Sequence, residues 1–231
     1  MKRSQGVWLS VAVGVVVGGL FYFLRPEPIL KRVPLTKELK SVPLNVVKKK
    51  PAVIVDSRPM HREDLGFGRF PKHIAKRMRL VEVEYLGFDG LNYRGQIVVD
   101  SSLAPEIKQI FRELLLAGYP IKKVVPVSRY GWDDEKSMAD NNTSGFNYRG
   151  QVTPKGKSRV LSKHAYGRAI DLNPLLNPYV SKSGESTSTY RPSRRGTLTR
   201  DCVAVKIFTK RGWKWGGNWT GSKDYQHFEK P

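Results

Sequence analysis

Three patterns of hydrophobic and polar positions succeed one another along the chain. Residues 7–24 form an uncharged, largely apolar run, preceded by Lys2 and Arg3 and closed by Arg25 and Pro26. At about 1.5 Å of helical rise each, these eighteen residues give about 27 Å, close to the hydrocarbon thickness of a bilayer. A cleavable leader also begins with a short basic stretch. This run ends Phe21-Tyr22-Phe23-Leu24 with no small-x-small pattern, so residues 1–24 read as an uncleaved membrane anchor. In residues 25–52 the pattern is lost. Pro26, Pro28, Pro34, Pro43 and Pro51 forbid a continuous helix, and Lys48-Lys49-Lys50 closes a stretch that reads as an extended tether.

Residues 53–231 carry the patterning of a single folded domain. Residues 52–55 are a short apolar strand candidate. Val81-Glu82-Val83-Glu84-Tyr85 alternates, Phe88-Asp89-Gly90 makes a turn, and Gly95-Gln96-Ile97-Val98-Val99 is the partner strand. Between Ser102 and Gly118 the apolar Ile107, Ile110, Phe111, Leu114 and Leu115 recur at helical spacing, with Pro105 near the start. A strand is expected over residues 123–127, a polar, turn-rich stretch over 133–156, a strand over 169–172, a helix over 201–211, and loop and strand to the end. Hairpins and helices in this order predict an α+β domain with a central, largely antiparallel sheet flanked by helices.

Composition changes the picture in two respects. Residues 1–50 hold ten Lys and Arg against two Asp and Glu, a net of +8, which leaves +13 of the formal +21 for the rest. The basic excess therefore extends over the folded domain and suits an anionic partner: lipid headgroups, cell-wall polymer or nucleic acid. No helix-turn-helix, RNP or zinc-finger pattern supports nucleic acid, and the apolar run in front favours wall material. The single cysteine, Cys202, excludes an intrachain disulfide framework and a thiolate-rich metal site.

The chemistry gathers in two stretches. Ser162-Lys163-His164-Ala165-Tyr166-Gly167-Arg168-Ala169-Ile170-Asp171 is answered by Asp224-Tyr225-Gln226-His227. Two imidazoles and a carboxylate make a catalytic zinc site with one position left open, and a further carboxylate beside a ligand supplies a general base. His164 and Asp171 lie seven apart, which on one strand would put them on opposite faces. A turn at Gly167 that folds the histidine back over the strand resolves that parity. Asp224 and His227 lie three apart, so one can bind metal while the other meets the attacking water. His227 and Glu229 can instead share a strand face, making Glu229 a rival base or a partner for the ligand. His61 and His73 sit in a basic stretch with no answering cluster and read as surface residues.

The stretch Ser162-x-His164-Ala165-Tyr166-Gly167-x-Ala169-Ile170-Asp171-Leu172-Asn173-Pro174 resembles the first metal motif of the zinc D-alanyl-D-alanine carboxypeptidases, the VanY-like peptidases. Asp224-Tyr225-Gln226-His227-Phe228-Glu229 resembles their closing motif, and Gly212-Trp213-x-Trp215-Gly216-Gly217-x-Trp219 the approach to it. Residues 134–149 are similar to a stretch of one bacterial branch, and the likeness spans roughly residues 80–231. The resemblance implies one Zn2+ per chain held by His164, Asp171 and His227, with Asp224 as general base. It implies an arginine near the metal that stabilises the oxyanion, for which Arg149 is the candidate and Arg129 the second choice. Arg129, Ser162 and Trp215 are the candidate substrate contacts.

It further implies a domain of the kind also seen in hedgehog signalling proteins, and hydrolysis of peptidoglycan stem peptides, by removal of terminal D-alanine or by a cut within the stem. An anchored domain outside the bacterial cytoplasmic membrane, N-terminus inside, would meet that substrate. The competing expectation is a zinc-containing wall-binding module without catalysis, using Trp213, Trp215 and Trp219, against which Asp224 speaks. A structural protein without metal is the third.

Overall fold

The computed structural model describes residues 53–55, 59–153, 156–186 and 188–231. These all fall within one compact unit, Lys49–Pro231; the other unit, Met1–Lys48, which holds the expected anchor and most of the tether, lies outside the described residues. Among the described residues no helix is long and apolar enough to cross a membrane.

Twelve strands and four α-helices are described. The strands are β1 (Val53–Val55), β2 (Met78–Leu86), β3 (Asn92–Asp100), β4 (Lys123–Val124), β5 (Asn142–Thr143), β6 (Gly150–Thr153), β7 (Gly156–Leu161), β8 (Ala169–Asp171), β9 (Tyr179–Val180), β10 (Lys214–Trp215), β11 (Lys223–Asp224) and β12 (His227–Glu229). The helices are α1 (Lys72–Ala75), α2 (Ala104–Leu116), α3 (Asp134–Ala139) and α4 (Val203–Thr209).

The long hairpin follows the alternation in the sequence: β2 and β3 pair antiparallel from Met78↔Asp100 to Leu86↔Asn92. Val81, Val83 and Tyr85 turn inward while Glu82 and Glu84 stay in solvent. On that inner face lies α2, which buries Ile107, Ile110, Phe111 and Leu114. The Asp100 side chain accepts from the Ser102 backbone N–H at 2.9 Å, capping the 3-10 turn that leads into the helix. Behind α2, α4 adds Ala204, Val205, Ile207 and Phe208 to the same core. The Phe208 ring stacks on Phe228 of β12 with centroids 4.0 Å apart. Full burial of a ring such as Phe228 contributes about 1.5–3 kcal/mol, so this contact ties the C-terminal strand to the helices.

The expected single central sheet is corrected. The strands form two three-stranded sheets, β1-β3-β2 and β10-β12-β8, and three two-stranded ribbons. Two of the pairings, β1 with β3 and β4 with β5, are parallel. Short strands of two or three residues are the cause: each makes too few ladder bonds to extend one sheet. The two larger sheets are nevertheless stitched through residues 144–146. Ser144 and Asp171 exchange both backbone hydrogen bonds, at 3.0 and 2.9 Å, and the Phe146 N–H donates to the Val98 carbonyl at 2.7 Å. A Cβ on Gly145 would lie 2.4 Å from the Val98 oxygen, so only glycine permits this approach.

Two local expectations are also corrected. Residues 133–156 contain α3, β5 and β6 rather than turns alone, because the Asp133 side chain caps α3 through the Lys136 N–H at 3.1 Å. The strand expected over 123–127 pairs only at Lys123–Val124; Pro126, which has no N–H, starts a 3-10 turn over Val127–Tyr130.

Candidate metal centre

Period-two alternation sets the floor of the site. In the β8–β12 pair, Ile170 lies opposite Phe228 and both point into the core, whereas Asp171 lies opposite His227. His227 Nδ1 is 3.1 Å from Asp171 Oδ1. His164 arrives from the 3-10 turn Lys163–Tyr166, and its own backbone N–H donates to the Ser162 hydroxyl. Gly167, at φ +64°, then reverses the chain into β8. The turn expected at Gly167 is therefore present, and it carries the histidine back over the strand: His164 Nε2 is 3.1 Å from Asp171 Oδ2 and 3.2 Å from His227 Nδ1.

His164, Asp171 and His227 are all buried, with one potential ligand atom each inside a 4.8 Å span. Their chemistry fits a metal. His164 Nδ1 faces the Gly145 carbonyl at 2.6 Å, which assigns that nitrogen the proton and leaves Nε2 as a lone pair. Asp171 is an acceptor, so the interior of the triad is a cage of acceptors that calls for a cation. Tetrahedral bonds of about 2.0–2.1 Å put ligand atoms about 3.3 Å apart; the two ring nitrogens, 3.2 Å apart, match that, and each has a different Asp171 oxygen at 3.1 Å.

Burial works against a charged His227, but the hydrogen bonds it donates to the Asp171 and Glu229 carboxylates outweigh it and push the ring up to about 10. Burial likewise works to raise the Asp171 carboxyl, and the two histidines overcome it and hold it well below the usual carboxylate range. Glu229 lies two residues on, on the same strand face as expected, with Oε2 3.5 Å from His227 Nε2. Its position is that of an orienting partner for the ring.

Asp224 reaches the site by a different route. It sits on β11, paired with Tyr179 of β9, and the chain changes partner between it and His227. The residue is half-buried, yet its Oδ1 is shut off from solvent and has no hydrogen-bond partner. Burial raises its carboxyl to about 6, partly countered by the charge on His227. A buried, unpartnered carboxylate oxygen beside three potential ligands is free to accept a proton.

The arginines separate. Arg149, at the foot of β6, is largely buried; its guanidinium lies 4.0 Å from Asp171 Oδ2 through Nη2 and 2.7 Å from Asp134 Oδ2 through Nε. Arg129 is exposed on the 3-10 turn Val127–Tyr130. Ser162 is buried as the cap of the His164 turn. Trp215 is buried in the main core, its indole N–H bonded to the Tyr225 carbonyl at 2.8 Å. The tryptophan beside the metal cluster is Trp219, with its ring 5.4 Å from that of His227. His61 and His73 are exposed, and Cys202 packs at the edge of the core.

Residues 134–149 are singled out by resemblance and Arg149 by role, but no role is read in the sequence for Ser144, Gly145 or Asn147. Ser144 bonds Asp171, the Gly145 carbonyl orients His164, the Asn147 N–H donates to the His164 carbonyl at 3.2 Å, and Arg149 ends the segment. A positive-φ turn or a histidine pair is visible in a sequence; a backbone carbonyl aimed at a ring is not.

The family model described as D-alanyl-D-alanine carboxypeptidase matches residues 155–230, about a third of the chain, which holds both histidines, Asp171 and Asp224. No curated protein and no solved structure matches the chain. At the level of the family, the match supports a metallopeptidase related to D-Ala-D-Ala carboxypeptidases.

Proposed function

We propose that this chain is a zinc peptidase that hydrolyses peptidoglycan stem peptides, removing the terminal residue of D-Ala-D-Ala ends. The observation that carries it is the convergence of His164, Asp171 and His227 beside the solvent-excluded, unpartnered Asp224 Oδ1. The three residues would hold the ion, His164 through Nε2 and His227 through Nδ1.

A bound zinc ion supplies Lewis-acid polarisation of the scissile carbonyl and of the attacking water. Asp224 removes the proton from that water at Oδ1 and returns it to the departing amine nitrogen. The Nη groups of Arg149 donate to the carbonyl oxygen as it gains negative charge. Gly145 and Glu229 hold the two imidazoles in orientation through Nδ1 of His164 and Nε2 of His227. Trp219 offers an apolar wall beside His227.

Two further features support the substrate class. Stem peptides carry carboxylates, and the domain is strongly basic. The apolar run of residues 7–24, read as an anchor, would hold the domain outside the bacterial membrane where such peptides lie.

The test is to incubate the full-length chain, loaded with zinc, with peptidoglycan fragments ending in D-Ala-D-Ala and to weigh the products. Chelator-sensitive loss of one alanine is expected. A cut inside the stem would make the same site an endopeptidase, and no cleavage by a folded, zinc-loaded protein would replace the peptidase by a wall-binding module.

A further inference from the structure

A guanidinium buried a few ångströms from a divalent cation site is electrostatically adverse unless something holds it there. Asp134 supplies the opposite charge at the guanidinium itself. Its carboxylate is buried, and both oxygens are engaged: Oδ2 lies 2.7 Å from Arg149 Nε, and Oδ1 accepts from Asn147 Nδ2 at 3.0 Å. The Asn147 backbone N–H in turn donates to the His164 carbonyl at 3.2 Å, so the carboxylate cannot swing away independently of the metal-site turn.

This arrangement also selects which donors face the site. Arginine has five N–H groups in a rigid fork, and the Asp134 carboxylate lies against the Nε edge as its charge partner, although the buried Nε–H completes no hydrogen bond. Nη2 is left 4.0 Å from Asp171 Oδ2, beyond a hydrogen bond, and Nη1 makes only a long contact of 3.4 Å to the Gly150 carbonyl. Both nitrogens thus remain available to an oxygen brought to the metal cluster.

We infer that Asp134, locked by Asn147, is a positioning residue that holds the Arg149 guanidinium with its Nη groups turned toward the reacting carbonyl. The inference rests on the peptidase reading for the carbonyl, but the placement of the guanidinium stands apart from it. A salt bridge with only a structural role would be expected to change melting temperature on disruption and leave turnover alone. A positioning role changes turnover and the solvent exposure of the Arg149 guanidinium as well.

The experiment uses the full-length, zinc-loaded chain and two readouts. In the first, kcat and KM are measured on a D-Ala-D-Ala-ended fragment for Asp134→Asn, Arg149→Met and the double variant. Asp134→Asn keeps the size of the side chain and its bond to Asn147 while removing the charge. A fall in kcat of about 10²-fold, the usual effect of losing an oxyanion donor, is expected with KM little changed. The double variant should be no slower than Arg149→Met alone. Wild-type turnover in Asp134→Asn, or losses that multiply in the double variant, would overturn the inference.

In the second, the Arg149 Nε–H resonance is followed by nitrogen-15 NMR, assigned by its absence in Arg149→Lys. It should exchange slowly with solvent in the wild type and merge with exposed arginines in Asp134→Asn. A resonance equally protected in that variant would overturn the positioning role. If the wild type hydrolyses nothing, the peptidase reading falls and this second readout still decides where Asp134 puts the guanidinium.

Discussion

Asp171 and His227 are direct partners across the β8–β12 ladder, with His227 Nδ1 3.1 Å from Asp171 Oδ1, although 56 residues separate them. The register that opposes them also opposes Ile170 and Phe228 in the core, so one strand pairing sets both a hydrophobic contact and half of the candidate metal cluster. A slip of one residue would exchange the two faces. The site and the core are therefore secured by the same hydrogen bonds.

If the cage holds zinc in the folded state alone, the ion stabilises the fold. At a hundredfold excess over its dissociation constant the gain is about 2.7 kcal/mol, or a rise in melting temperature of about 5–10 °C. His164→Ala should abolish that rise and lower the bound zinc per chain, read by calorimetry and elemental analysis. Full occupancy in the variant would remove His164 from the ligand set.

In the proposed reaction Asp224 transfers a proton and binds no metal. Asp224→Asn should retain zinc and lower kcat by about 10²–10⁴-fold, the usual contribution of a general base. Loss of zinc from this variant would make Asp224 a ligand instead.

Gly167 is required by shape. At φ +64° a Cβ would lie 2.4 Å from the Asp100 backbone nitrogen and 2.8 Å from Met78 Sδ. The left-handed backbone alone costs an alanine about 1–2 kcal/mol, and the backbone clash adds to it. Gly167→Ala should therefore destabilise the domain by more than about 2 kcal/mol in urea unfolding and displace His164, lowering zinc affinity with it.

The Glu113 carboxylate bonds Arg211 and Lys210, joining the end of α2 to the chain after α4. The hydrogen bonds from Arg211 and then Lys210 hold its carboxyl down at about 2, against an ordinary 4.5. A depressed carboxyl contributes stability that is complete above its unfolded value and is lost as pH falls from about 4.5 through about 2. Glu113→Gln should melt about 1–3 °C below the wild type at pH 7, because the pair is solvent-screened, and the difference should vanish near pH 2. A difference that persisted there would have a cause other than the charge.

Much of this was legible in the residues. The long hairpin and α2 follow period-two and 3–4 spacing within short windows, and both lie where the pattern puts them. The two histidines and two aspartates announce a donor set by type, and Gly167 announces the reversal between His164 and Asp171. The sheet arrangement was not legible. Strands of two or three residues have no periodicity to read, and α3 hides in a polar stretch because its cap, Asp133, is also a turn residue. Trp215 and Trp219 look alike in a glycine-rich run, yet one is core and the other stands beside His227.

By itself the sequence determined the donors, the reversal at Gly167, the hairpin and the amphipathic helix, since each depends on chain neighbours within a few residues. Tertiary structure alone decided that Asp171 faces His227, that the Gly145 carbonyl orients His164, and that Asp134 rather than solvent meets Arg149. Those contacts come from strand register and from close backbone approach between distant segments. Their energies depend on separations of a few tenths of an ångström that no local pattern encodes.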